Sequence, residues 1–267
     1  MNPVYFGLFS VVLYMSATGY LVRQIQNHLD VNKTILLGTG LLAFIFHALS
    51  AYGIIYTPEG VYFSFFQVAS LFGWVIAAVA IFTSLVRPVS NLTVMAFPSA
   101  AIGVLSSIFI KTNTPPLPHV LPGILLHIIL SLLAYSVLAI AVTQALLLYV
   151  QNYQLKHKHM SGFIQLLPPL QTMEKLLFEM IWAGLILLSI SIVSGLVFLD
   201  NIFAQHLVHK SVLSISAWLT FAVLLWGRHQ SGWRGITAIR GTLIGFALLL
   251  LAYFGSKLVL EIILQRV

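Results

Sequence analysis

Histidine is the residue of this sequence best suited to chemistry, because imidazole can ligate haem iron and changes its charge near neutral pH. Of the nine histidines, His127 lies within a long apolar stretch, where an ionisable side chain is by default a functional hypothesis that needs a partner. His209 is followed by Lys210, and a cation beside a neutral imidazole suits an anionic group. We therefore predict a binding site that includes His127 and His209, with His47 and His206 as further candidates.

The sequence contains no motif typical of thiol chemistry, hydrolysis or ion transport. The chain contains no cysteine, which excludes thiol transfer and metal sites built on thiolates. It also has no HExxH motif, no pair of acids on one helical face and no nucleophile elbow, so nothing in it is typical of a hydrolase. None of its six acids lies clearly at the middle of an apolar segment, where an ion transporter would need one. We expect a binding protein and not an enzyme.

The composition determines which elements must position these residues. Apolar residues make up 60% of the 267 residues and charged residues 7%, with a mean hydropathy of +1.00. A chain this apolar needs lipid as its solvent, and in lipid the backbone must satisfy its own hydrogen bonds as helices or a closed barrel. Uninterrupted apolar runs favour helices. The sequence thus predicts an all-α polytopic membrane protein with about eight spans: Val4–Leu21, Thr34–Tyr56, Tyr62–Val86, Leu92–Ile110, Leu121–Val150, Leu176–Phe198, Ser211–Gly227 and Ile236–Leu264.

Basic residues predict the orientation of these spans. Nine of the 13 Lys and Arg residues fall on the side of the loops after spans one, three, five and seven. That side should be cytoplasmic, which places both termini in the periplasm. Attraction to anionic lipid headgroups accounts for the net charge of +7, so we expect no nucleic-acid partner. Five histidines then gather toward the outer face, namely His47, His119, His127, His206 and His209.

The loops are too short to hold a further domain of ordinary size. We therefore expect residues 1–267 to form a single transmembrane domain in the lipid bilayer of a bacterial inner membrane. The tryptophans fall mostly on helices or at their ends, where they commonly anchor or pack helices. Trp218 is the exception that we expect to contribute to a site, because it lies about two turns below Ser211, at a depth suited to a pocket under His209.

Several stretches of the second half resemble a known family. They read LHIILSLLAYSVLAIAVTQALLLYV, EMIWAGLILLSISIVSGLVF, VLSISAWLTFAVLLWGR, GWRG and LLLLAYFGSK. In this order they are similar to the C-terminal part of the cytochrome c assembly family, which includes HemX-like and other haem-handling membrane proteins. The resemblance is clearest from about residue 121 to 257. It implies haem handling at the outer face, with His127 at the position of the first outer ligand of the family.

The sequence departs from the family at two places. The family carries a tryptophan-rich WGxxWxWD pattern in the outer loop before span seven, whereas this chain has LDNIFAQHLVHKSVLS there, without a tryptophan. The second outer histidine of the family would fall within LVLEIILQRV, which contains no histidine. Delivery of haem to apocytochrome c is therefore not expected, because a presented haem would lack its flat stacking surface.

Two interpretations follow from these departures. In the first, His206 or His209 replaces the missing ligand, and haem lies between His127 and the loop before span seven, with Lys210 and Trp218 supporting the pocket. In the second, the scaffold binds no haem and acts as an accessory or regulatory subunit of another inner-membrane protein. We take the first interpretation as the prediction, with His127 and His209 as axial ligands and His47 and His206 in reserve.

Overall fold

The computed structural model of the protein describes residues 2–27, 29–87, 90–110, 115–117, 121–157, 167–198, 208–255 and 258. Within these residues the chain is almost entirely helical, and eight helices are long and apolar enough to cross a membrane. This confirms the predicted all-α polytopic class. The helices are α1 (Pro3–Gln26), α2 (Lys33–Ile55), α3 (Phe65–Val86), α4 (Thr93–Phe109), α5 (Pro122–Lys156), α6 (Leu170–Phe198), α7 (Val208–Ser231) and α8 (Ile236–Leu250).

The helices extend beyond the apolar runs that predicted them. Helix α5 continues past Val150 to Lys156, and α6 begins at Leu170, six residues before the apolar run starts. The added turns contain Gln, Glu and Lys, which form helices readily but are too polar for a hydropathy criterion to include. Helix α8 passes into a π-helical turn, Leu251–Gly255, and the predicted end of this span at Leu264 lies outside the residues that the structure describes.

Polar side chains and proline fix where several helices begin. The side chain of Asn2 accepts a hydrogen bond from the backbone N–H of Val4, and Pro3 occupies the first helical position. Asn32 caps α2 in the same way by accepting from Thr34 at 3.0 Å. Such caps satisfy backbone donors that the helix itself leaves unpaired.

Contacts between Cα atoms divide the chain into two compact units. The first contains α1 to α4, in which α1 packs on α2 and α4, and α3 packs on α4. Its core includes Tyr14, Leu36 and Phe97, which are fully buried. Helices α3 and α4 cross closely through glycine: an added Cβ at Gly73 would lie 2.9 Å from the Cα of Ala100. Small residues at such crossings bring helix backbones together in membranes.

A short hairpin connects α2 and α3 in this first unit. Strand β1 (Tyr56–Thr57) pairs antiparallel with β2 (Gly60–Val61), and Val61 also bridges to Leu117. The hydroxyl of Tyr62 donates to Glu59 Oε2 at 2.8 Å. Tyr62, predicted to start the third span, lies instead in this polar segment, because the hairpin pairs the backbone up to Val61.

The second unit contains α5 to α8 and carries most of the predicted site. Helix α5 packs along α6 and also on α8, while α7 packs on α8. A turn of sequence Gly-Trp-Arg-Gly joins α7 to α8, and the buried carboxylate of Glu174 on α6 accepts a hydrogen bond from Gly235 N–H at 2.8 Å. Gly235 has φ of +58°, a conformation that side chains with a Cβ disfavour. The single domain and the periplasmic termini stay predictions.

Candidate functional site

His127 lies in the second turn of α5, with its side chain directed onto α6. Its Nδ1 is 2.9 Å from the backbone carbonyl oxygen of Ser191 and 3.1 Å from Ser194 Oγ. A carbonyl oxygen can only accept, so Nδ1 carries the proton and donates it to Ser191. In the neutral imidazole, Nε2 then presents a lone pair.

Three serines surround this imidazole and complete its polar environment. Ser131, one turn further along α5, lies 2.8 Å from Ser191 on α6 through their Oγ atoms. Ser131 Oγ also donates to the backbone carbonyl of His127 at 2.7 Å, whereas it is 3.4 Å from Nε2. Because the closer contacts engage its hydroxyl, Ser131 interacts only weakly with Nε2. The lone pair of Nε2 is thus the least engaged polar group of the ring.

The close approach of α6 to this ring depends on glycine. An added Cβ at Gly195 would lie 3.0 Å from His127 Cε1 and 3.3 Å from Nδ1. Ser191, Ser194 and Gly195 share a helical face, because residues three and four apart lie above one another. The sequence SISIVSG therefore places the carbonyl of Ser191, the hydroxyl of Ser194 and the side-chain-free backbone of Gly195 against the imidazole. This spacing was visible in the sequence, and our prediction missed it.

The sequence predicted His209 and Lys210 in the loop before span seven, which was expected to begin at Ser211. In the structure α7 begins at Val208, so both residues lie in its first turn. His209 is exposed and Lys210 is half-buried. His206 falls in the segment 199–207, outside the residues that the structure describes. Pairing of His127 with His209 or His206 across one ligand therefore stays a prediction.

Trp218 lies on α7 and is half-buried. Its indole N–H donates to Ser189 Oγ on α6 at 2.8 Å, and the Ser189 hydroxyl in turn donates to the carbonyl of Leu185. This hydrogen bond orients the indole against α6 and gives Trp218 a packing role. Its further role as a support of the pocket stays a prediction.

His47 belongs to the first unit and is completely buried. Its Nε2 lies 3.0 Å from Ser70 Oγ, and the ring of Tyr14 meets it edge-on with centroids 6.0 Å apart. Its Nδ1 has no hydrogen-bond partner among the described residues. Because His127 lies in the second unit, a shared site of the two residues stays a prediction.

The donor chemistry around His127 can be compared with what an iron ligand needs. Histidines that bind metals commonly donate their other N–H to a backbone carbonyl, which fixes the tautomer and the ring orientation. The contact of His127 Nδ1 with the Ser191 carbonyl is of this kind, and it leaves Nε2 as the ring nitrogen with a lone pair. The residues present therefore fit one imidazole ligand of haem. Across the described ranges, no group of three or more His, Cys, Asp or Glu residues could hold a metal ion without such a cofactor.

The fold and this imidazole arrangement define a polytopic helical membrane protein with a partly buried polar cluster between two helices. A model of the family described as cytochrome c assembly protein matches residues 35–264, which is most of the chain. The chain belongs to the cytochrome c assembly family.

Individual relatives match a smaller part of the chain. Inner membrane protein YpjD of Escherichia coli is 42% identical over 142 residues, which cover 53% of this chain and 54% of that protein. A protein of Azospirillum brasilense, described as an uncharacterized 28.8 kDa protein in the nifR3-like 5' region, is 31% identical over 147 residues, or 54% of each chain. The matches thus span about half the length of these curated relatives. No solved structure matches the chain.

These comparisons bear on the predictions from the sequence. Membership of the cytochrome c assembly family is confirmed, and so is the likeness to the YpjD branch, which the AYFGSK and HKSVLS segments indicated. The eight apolar helices and the inner-membrane relative also agree with the predicted location, a multi-pass protein of the inner membrane.

Proposed function

We propose that this protein binds haem through Nε2 of His127 and handles it within the membrane, without catalysing a reaction. The proposal rests mainly on one observation, the hydrogen bond from His127 Nδ1 to the carbonyl of Ser191. That bond holds the neutral tautomer whose Nε2 lone pair can bind iron. Membership of the cytochrome c assembly family makes haem the expected ligand.

Different residues of this chain would orient the imidazole and contact the haem. The Ser191 carbonyl and the Ser194 hydroxyl orient the imidazole, and Gly195 leaves room for its ring. His209 would supply the second nitrogen, and Lys210 would meet an anionic propionate of the ligand. Haem when bound would supply an iron centre that binds imidazole nitrogen.

The test uses the full chain purified in detergent, with its absorbance spectrum as the readout. A haem held by two histidines should give a Soret band in protein as isolated or after addition of hemin. We expect His127→Ala to lose most of this band and His209→Ala to weaken it. His229→Ala is the matched control, because His229 is an exposed histidine at the opposite end of α7 and should leave the band unchanged.

Two outcomes would contradict the proposal. One is wild-type protein that carries no haem and fails to take up added hemin. The other is a Soret band that His127→Ala and His229→Ala reduce equally, since haem would then bind elsewhere or without specificity. The first outcome would favour the second interpretation, an accessory subunit that acts on a membrane partner through helix packing, and a complex with such a partner should then survive both histidine substitutions.

A further inference from the structure

A groove between α7 and α8 is separate from the histidine cluster and has no part in the proposed haem site. Its volume is about 490 Å³. The α7 side presents Leu219, Val223 and Leu224, and the α8 side presents Arg240 and Gly241. Most of this lining is apolar, so in the membrane the natural content of the groove is hydrocarbon.

Two glycines allow the close packing that shapes this groove. An added Cβ at Gly241 would lie 3.0 Å from Leu224, so the absence of a side chain there keeps the helices close and the groove lined by backbone. At the end of the groove, the indole of Trp233 packs directly on Gly227 and leaves no room for a Cβ there. Arg228 fixes this turn by donating to the carbonyl oxygen of Trp233 at 3.1 Å. The wall is therefore preformed.

Arg240 is the charged residue of the groove. It lies four residues into α8, about 6 Å along the helix from Ile236, and its side chain is exposed. Side chains on a helix lean toward its N-terminus, so we expect the guanidinium to reach back to the membrane face where α7 ends and α8 begins. The basic residues of the sequence predict that this face is cytoplasmic.

Among the residues that the structure describes, no acidic side chain is paired with Arg240. No acidic side chain lines the groove, whose residues all lie within the described range 208–255. On the neighbouring α6, Glu174 is engaged by Gly235 N–H, and Glu179 stands beside Lys175 at 4.0 Å. Arg228, which precedes this turn on α7, lies over the ring of Phe178 at 4.7 Å. An intramembrane arginine in these surroundings calls for an anion.

We propose that this groove is a binding site for one anionic phospholipid, with its phosphate on Arg240 and an acyl chain along Leu219 and Val223. Thr237, which also lines the groove, offers a hydroxyl donor for a headgroup oxygen, whereas the hydroxyl of Thr220 already donates to the carbonyl of Ser216 at 2.8 Å. Trp233 stands at the headgroup level, as tryptophan does at membrane interfaces. Basic pockets between transmembrane helices recognise anionic lipid headgroups in this manner.

The role of the Arg240 charge in lipid binding can be tested by native mass spectrometry. The full chain in detergent is titrated with phosphatidylglycerol, which is anionic, or with phosphatidylethanolamine, which carries no net charge. We expect a bound phosphatidylglycerol whose apparent affinity falls about fivefold in Arg240→Gln, the scale of one basic contact at a membrane surface. Arg240→Lys should retain most of the binding. Arg234→Gln is the matched control, because Arg234 is an exposed arginine of the same turn that does not line the groove.

A second pair of variants tests whether the acyl chain occupies the apolar part of the groove. Val223→Trp should fill the groove and displace the lipid, whereas Val212→Trp, on an equally exposed position of α7 outside the groove, should not. Equal affinity for the two lipids, or equal losses in Arg240→Gln and Arg234→Gln, would overturn the proposal. A Val223→Trp variant that loses a dimer and keeps its lipid would assign the groove to a second copy of the chain. Thermal unfolding in detergent checks that each variant is folded.

Discussion

The imidazole of His127 on α5 lies directly against the backbone of Gly195 on α6, with only 3.0 Å between its Cε1 and the place where a Cβ at Gly195 would stand. This contact lets the ring reach the Ser191 carbonyl and Ser194 hydroxyl with the same nitrogen. A glycine on one helix thus determines the orientation of a histidine on another.

Replacement of Gly195 should disturb this arrangement. In Gly195→Ala the ring of His127 has to shift by a few tenths of an ångström, and Gly195→Val should force a larger movement. Overpacking of this kind typically lowers the free energy of unfolding by about 1–3 kcal/mol. We expect thermal unfolding in detergent to show a decrease, together with a weaker Soret band if haem is bound.

Gly38→Ala provides the control for this substitution, because nothing lies within 4 Å of an added Cβ at that exposed helical position. It should leave stability unchanged or raise it by up to about 1 kcal/mol, the difference in helix propensity. Equal effects of the two alanine substitutions would show that the His127 ring is not held by this contact.

The tautomer of His127 can be measured directly. Because Nδ1 donates to a carbonyl, ¹⁵N NMR of histidine-labelled protein without haem should show a protonated Nδ1 and an unprotonated Nε2 for this residue. Ser194→Ala should preserve this tautomer, since the Ser191 carbonyl still accepts. A protonated Nε2 in neutral His127 would contradict both the hydrogen-bond assignment and iron binding through that atom.

The buried pair of His47 and Ser70 should matter for stability. Loss of the hydroxyl in Ser70→Ala leaves Nε2 of a fully buried imidazole without its partner, and an unsatisfied buried polar group costs about 1–3 kcal/mol. We expect a lower unfolding temperature in detergent. Ser16→Ala, which removes an exposed hydroxyl bonded to its own helix, should have little effect. Equal stability of both variants would argue against this hydrogen bond.

Glu174 should hold the turn between α7 and α8. Glu174→Ala leaves the N–H of Gly235 without its acceptor, so hydrogen exchange at Gly235 should accelerate and the turn should loosen. Glu174→Gln keeps a carbonyl oxygen and should lose less. Glu179→Ala on the same helix is the control, because that carboxylate is exposed and its 4.0 Å ion pair with Lys175 contributes about 0–1 kcal/mol. Unchanged exchange at Gly235 in Glu174→Ala would contradict the role.

Tyr62 should titrate at a higher pH than an ordinary tyrosine. The hydrogen bond that it donates to Glu59 raises the pKa of its phenol, because the bond favours the protonated form and the carboxylate repels the phenolate. The bond is therefore present at neutral pH and is lost as the pH rises through this raised pKa. The difference in ultraviolet titration between wild-type protein and Tyr62→Phe isolates this residue, and Glu59→Gln should lower its pKa. A Tyr62 pKa that Glu59→Gln leaves unchanged would contradict the contact.

Hydropathy predicted the eight helices because the preference of a segment for lipid is a sum over its own residues. The same reasoning misplaced helix ends such as Lys156 and Leu170, where polar residues that form helices well continue a helix beyond its apolar part. It also assigned Tyr62 to a span, although backbone pairing between β1 and β2 places it in the loop.

The sequence by itself determined that this is a helical membrane protein of the cytochrome c assembly type and that His127 lies within the fifth span. Only the tertiary structure decided that Ser191, Ser194 and Gly195 face this histidine. It also decided that the ring of His47 forms a hydrogen bond with Ser70. The physical reason is that helices such as α5 and α6 are apolar on nearly every side. Their composition selects the membrane, but their rotation about the helix axis is set by contacts with neighbouring helices that no single segment encodes.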